Sequence, residues 1–228
     1  FLNFSSPAIN VNPEDPAANP AALDISENTF DVSAAALSVD SSNYDQGNSN
    51  VTISGNSDIT VAGGNTAIDI TDSSNQVTIS QNDIEGDGTG GSSGISLAGG
   101  ADFDITSGSI NNTETGVNIA SSGDFVNITG TSVTNSGSKA IDLAGTNTDV
   151  TIDGGLTINQ APTGIEIDVS GGTNTVDLNN ININGTTDTG AANNGAGVFV
   201  ENVDSGSDAI NITSSTFTNN EEALNVSS

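Results

Sequence analysis

Almost every chemically active side chain in this sequence is a carboxylate. Twenty-nine Asp and Glu stand against one basic residue, Lys139, and there is no His or Cys. Paired carboxylates are the apparatus of glycoside hydrolysis, one as acid and the other as base or nucleophile. Asp142 and Glu166 occupy equivalent outward positions on neighbouring repeats and are the best such pair. In so acidic a chain, however, close pairs arise without selection for catalysis, and no His or Arg is present to tune them. Nucleophilic triads need His or Cys and are excluded. Lys139 sits in the turn Ser136-Gly137-Ser138-Lys139 before a first-column strand and reads as a solvated side chain rather than a base. Gly88 to Gly94 is Gly-rich but lacks the Lys and the strand–loop–helix setting of a phosphate loop. The expectation is a protein with no catalytic residues and no organic cofactor.

Carboxylates also bind Ca²⁺. Asp83-Ile84-Glu85-Gly86-Asp87-Gly88 opens like a calcium loop, with Asp83, Glu85 and Asp87 as candidate ligands, but Gly94 stands where an EF-hand has its Glu. Asp102, Asp124 and Asp149 stand at the entries to equivalent strands on successive repeats, and Asp208 recurs after an insertion. Asp69, Asn118, Asp142 and Glu166 form an outward column of their own. Stacked like charges repel, and bridging Ca²⁺ or external salt would relieve them.

A formal charge of −28 repels nucleic acid and anionic membranes, since phosphate binding depends on Lys and Arg. No apolar run approaches the ~20 residues of a membrane helix. The absence of Cys excludes a disulfide framework. Gly, Asn, Ser, Thr and Asp dominate in the manner of secreted repeat proteins, so the expected location is extracellular, at a cell surface.

The elements that position these residues are short strands. Apolar–x–apolar units, the period-two mark of a strand with one buried face, recur in three columns. The first column runs from Leu37/Val39 through Ile68/Ile70, Ile95/Leu97, Val117/Ile119, Ile141/Leu143, Ile165/Ile167 and Val198/Val200 to Leu224/Val226. The second runs from Val51/Ile53 to Ile210/Ile212, and the third from Ile59/Val61 to Phe217. All three drift together, and one long step coincides with an insertion at about 186–196. Such repeats bury their apolar faces only by stacking, each strand pairing in parallel with its equivalent one coil away. The predicted fold is all-β: a right-handed parallel β-helix of about seven three-stranded coils over residues 23–228. Residues 1–22, broken by four prolines, read as an N-terminal extension or connector. Asn112, Asn135 and Asn219 follow third-column strands and are expected to hydrogen-bond from coil to coil. An ice-ordering array is not indicated, because Asp104, Asn127 and Asp177 interrupt the outward column of Thr52, Thr78 and Thr151.

The run TAIDITDSSNQVTISQNDI and its echo KAIDLAGTNTDVTIDGGLTI resemble the pectin-lyase-like superfamily of right-handed parallel β-helices, over about Leu37 to Val226. In character the chain is closest to bacterial surface and autotransporter-passenger repeats. The resemblance implies the fold. It leaves activity open, because the superfamily includes polysaccharide lyases and hydrolases, tailspikes and surface proteins. Lyases of this fold use Arg or Lys as base, and here Lys139 is the sole basic residue.

No amphipathic helix flanks the coils, and the sequence stops just after a first-column strand. The functional expectation is therefore a non-catalytic extracellular structural or adhesive protein. Head-to-tail self-association would lay Phe1 to Val11 of one copy on the terminal coil of the next, giving a Ca²⁺-stabilised fibre, with a glycan or cell-surface ligand as further partner. The alternatives are a polysaccharide-acting β-helix enzyme and a passive stalk segment of a giant adhesin.

Overall fold

A computed structural model describes residues 7–11, 23–31, 36–40, 50–71, 76–88, 90–99, 102–120, 125–145, 149–169, 173–187, 195–202 and 208–227. These residues form a right-handed parallel β-helix: three parallel sheets stacked around one core, with no helix among them. Every strand but the outermost two of each sheet pairs with its equivalents on the coils before and after. Face A holds nine strands, from Ile9–Val11 to Glu222–Val226. Face B holds eight, from Leu23–Ser26 to Ala209–Thr213, and face C eight, from Thr29–Asp31 to Thr216–Thr218. The three sequence columns are these three faces.

Each face contains one strand more than the apolar columns reveal. Ile9–Val11 pairs with Leu37–Val39, Leu23–Ser26 with Val51–Ser54, and Thr29–Asp31 with the strand Ser57–Val61. The Pro-rich segment therefore contributes the first strand of face A. That position tolerates nearby prolines, because a terminal strand has one ladder to satisfy rather than two. The remainder of that segment, with Phe1, Leu2 and Phe4, lies outside the described residues, as do Tyr44 and most of the 186–196 insertion.

The core is built from aligned aliphatic ladders. Ile53, Ile79, Ile105, Ile128 and Ile152 stack down face B in strict register, all at most 2% exposed. Alternate residues point outward, which is why strand after strand shows a buried–intermediate–buried pattern. At the start of the face-A strands a column of tiny residues (Ala67, Gly94, Gly116, Ala140, Gly164) lets the backbone turn in against face C. A Cβ on Gly164 would stand 2.3 Å from the Gly197 carbonyl oxygen.

The corners follow from residue type. From the strand Ser109–Asn111 onward, the residue after each face-C strand adopts a left-handed conformation, with φ of 55° at Asn112, 53° at Asn135 and 54° at Asn219. Asn tolerates this region better than branched residues do. At the B-to-C corner a second device appears. Asn56 and Asn82 are buried, at 0% and 5% exposure. Asn56 Nδ2 donates to Asn82 Oδ1 (2.8 Å) and to the Ile25 carbonyl (3.0 Å), and Asn82 Nδ2 donates to the Ile53 carbonyl (2.9 Å). Asn28 extends the ladder by donating its backbone N–H to Asn56 Oδ1 (2.9 Å).

Candidate functional site

Stacking coils about 4.8 Å apart sets every outward side chain against its counterparts on the neighbouring coils. A chain of net charge −28 must therefore control which residues become rung neighbours. Along face B, Asp104 stands between Thr78 and Asn127, and Asp177 between Thr151 and Asn211. The neighbours donate to the carboxylates: Asn127 Nδ2 to Asp104 Oδ1 (3.2 Å), Gln76 Nε2 to Asp104 Oδ2 (3.1 Å), and Asn211 Nδ2 to Asp177 Oδ1 (2.7 Å). Asn179 makes the same bond to Asp153, at 3.2 Å. On face C, Asp83 accepts from the Ser109 hydroxyl, and Glu85 accepts from Asn111 Nδ2 (2.8 Å) and from Asn112. Acids alternate with amides and hydroxyls, so each carboxylate gains a donor rather than a like charge.

Among the described strand pairs only two rungs set acid on acid, Asp142 on Glu166 and Asp168 on Glu201. The first carries the chain's one cation. Lys139 is the first residue of its face-A strand, and its Nζ reaches Asp142 Oδ2 at 3.0 Å and Glu166 Oε1 at 2.6 Å. At the second, Asn202 Nδ2 donates to Asp168 Oδ1 at 2.9 Å. Lys139 is thus a clamp on two carboxylates, where the sequence suggested a solvated turn residue.

The clamp is half-buried, and this shows in its acidities. Burial raises the Glu166 carboxyl above the usual range, opposed by its hydrogen bond and charge attraction to Lys139 and reinforced by Asp142 and Glu201. Burial also pulls on the Lys139 ammonium, but its contacts with Glu166 and Asp142 outweigh this and hold it above its ordinary value. Asp69, further up the same outward column, is raised by burial against a hydrogen bond from Ser96. Tied to one ammonium, Asp142 and Glu166 are arranged to hold charge in place rather than to present a free acid beside a free base.

The candidate Ca²⁺ residues do not converge. Asp83 and Glu85 project outward from one strand and are occupied by Ser109, Asn111 and Asn112. Asp87 lies beyond the strand and accepts from the Gly63 N–H at 3.1 Å. Asp102 and Asp149 stand two rungs apart in one face-B column. Phe125 is the residue registered against Asp149, and it also precedes Val126, the partner of Phe103. Phe125, 46% exposed, therefore occupies the rung between Asp102 and Asp149. Asp124 falls one position earlier in sequence and lies outside the described residues. Asp208 is likewise offset, since Ala209 pairs with Thr175, and it accepts from the Asn174 backbone and side chain. Among the described residues no three acidic side chains come together in a metal-holding group.

Asn112, Asn135 and Asn219 do bond from coil to coil, though not to one another. Each reaches back to the previous coil's face-C strand: Asn135 Nδ2 donates to Asn111 Oδ1 and Asn219 Nδ2 to Asn184 Oδ1, both at 2.8 Å, while Asn112 meets Glu85. The Asn28–Asn56–Asn82 ladder, buried at Asn56 and Asn82, is not anticipated by the apolar columns. Its signal is Ser-x-Asn after each of the first three second-column strands, at 26–28, 54–56 and 80–82.

No protein-family model, curated protein or solved structure matches this chain. The fold itself defines the class, a parallel β-solenoid of the β-helix type.

Proposed function

We propose that this protein is a non-catalytic extracellular structural or adhesive solenoid, related in character to bacterial surface repeats, whose copies associate head to tail. The observation that carries this reading is the repeat: coil meets coil through the same three parallel ladders, so a further coil can be added without a change of register. Leu224 and Val226 continue the core ladders of Val198 and Val200, and among the described residues their strand pairs on one side only. The outermost strands of all three sheets, at both ends, have a ladder partner on one side only among the described residues. A parallel coil added at the C-terminal edge would satisfy those backbone groups and cover the apolar cross-section together. The first coil of a second copy offers the partly buried Ile9 on face A and Leu23 on face B, backed by the buried Ile25 and Phe30. A heterologous contact of this kind does not close on itself and generates filaments.

Sedimentation of the purified chain over a concentration series tests the assembly. Wild type should form growing oligomers, and a Leu224→Asp, Val226→Asp variant should remain monomeric. Reducing-sugar and unsaturated-uronate assays on neutral and anionic glycans test the non-catalytic half of the reading, and sustained turnover would overturn it.

A further inference from the structure

From Ser109 onward, face C departs from the chemistry of the rest of the molecule. Its outward residues over five consecutive rungs are Ser109 and Asn111, Ser132 and Thr134, Thr157 and Asn159, Asn182 and Asn184, and Thr216 and Thr218. None is charged. The flanking corners continue the neutrality: no Asp, Glu or Lys occurs in 107–113, 130–138, 154–165, 178–187 or 209–220. In a chain of net charge −28 this is a separate surface, bounded on its N-terminal side by Asp83 and Glu85.

The strip is also held in shape. Thr134 Oγ1 donates to Asn111 Oδ1 (2.8 Å), Asn184 Nδ2 to Asn159 Oδ1 (3.2 Å) and Thr218 Oγ1 to Asn184 Oδ1 (3.1 Å). Beside it, along the C-to-A corner, runs a groove of about 630 Å³ lined by Ser136, Gln160, Asn184, Thr187 and Asn219 and by no charged residue. Ser136 is only 5% exposed, and its hydroxyl has no hydrogen-bond partner. A buried hydroxyl without a partner is costly unless something supplies one.

The dimensions select the partner. Four rung steps of ~4.8 Å and a separation of ~7 Å between outward columns give a strip about 19 Å long and one polymer chain wide. A stable protein interface needs roughly 800 Å² from each side, far more than this strip provides. Ser, Thr and Asn side chains both donate and accept, matching a partner whose groups are hydroxyls, and the missing charge gives a polycation no foothold here.

We propose that the neutral strip of face C and its corner groove form a binding site for an extended, uncharged polysaccharide, lying along the solenoid axis. The proposal rests on the adhesive reading above and gives it a ligand class. Binding is without turnover.

Affinity electrophoresis of the full chain through gels containing a neutral glucan, a neutral soluble chitin derivative or polygalacturonate tests it. Wild type should be retarded by a neutral glycan and not by polygalacturonate. Thr157→Glu and Asn182→Glu, each placing a charge on the strip, should weaken retardation at least ten-fold. Ser54→Glu, an outward change on face B, should leave it intact, with thermal melts confirming that all three fold. No retardation of wild type in any neutral gel would overturn the proposal, as would unchanged retardation of both strip variants. Either result without glycan turnover leaves the structural reading standing, whereas turnover sinks that reading itself.

Discussion

At the scale of single residues, the chain's one cation sits where two acids collide. Two unit charges ~5 Å apart repel by about 1 kcal/mol in water and about 3 kcal/mol at the effective dielectric of a protein surface. Most rungs avoid that cost by choice of neighbour, and Asp168 on Glu201 is met by Asn202, but at the rung of Asp142 and Glu166 the partner of both acids is Lys139. Lys139→Gln should therefore destabilise the fold by about 1–3 kcal/mol in thermal or denaturant melts at pH 7, and adding Glu166→Gln should recover most of the loss. The acidities give a second expectation. Glu166 and Asp69 are both raised in the fold, so the folded state binds their protons more readily than the unfolded chain does. Their contribution to stability is greatest below the ordinary carboxylate values of 4.5 and 3.8 and is lost as pH rises through their folded values. Lys139, also raised, acts in the same direction at the alkaline end, its contribution present below 10.5 and lost above its folded value. The melting temperature should thus rise as the pH falls toward 4.5 and fall above pH 10.5. A melt that instead falls on approach to pH 4.5 would show that the Lys139 contact outweighs burial at Glu166.

At the scale of elements, the strands were legible and the rungs were only partly so. Apolar alternation marks a strand because one face is buried, and it located every face from Leu37 onward. It missed Thr29–Asp31, which has a single apolar residue, Phe30, and so no alternation to detect. Only backbone pairing reveals that Phe125 takes the rung against Asp149. The charge clamp was equally hidden. Asp142 and Glu166 were visible as a pair, but the reach of Lys139 across two coils depends on strand register. The corners carry energy of their own. Asn82→Ala would remove the acceptor for Asn56 and the donor to the Ile53 carbonyl within a buried corner. It should cost about 2–4 kcal/mol in a denaturant melt, since several buried partners are orphaned together. Further along, Leu156 and Ile181 hold the equivalent corner position, so the ladder gives way to aliphatic packing. Leu156→Ala should cost a similar amount by leaving a cavity.

At the scale of the whole molecule, the acid–amide ladders explain how so anionic a chain closes around an aliphatic core. They also set the terms for Ca²⁺. Ladder carboxylates already have donors, so a melt at fixed ionic strength measures directly how much any bound divalent ion adds. The ladders alone predict coincident curves with and without EDTA, and a fall of several degrees in EDTA would place Ca²⁺ among the stabilising parts. Added NaCl should raise the melting temperature in either case, by screening the residual repulsion of the net −28 charge.

The central claim is that the solenoid continues from one copy into the next. Electron microscopy of the purified 22.6 kDa chain at high concentration, with diffraction from aligned specimens, tests it most directly. The account predicts unbranched filaments with a ~4.8 Å axial reflection running without a break across subunit junctions, and their loss in the Leu224→Asp, Val226→Asp variant. Monodisperse single particles at every concentration, unchanged by that variant, would contradict it.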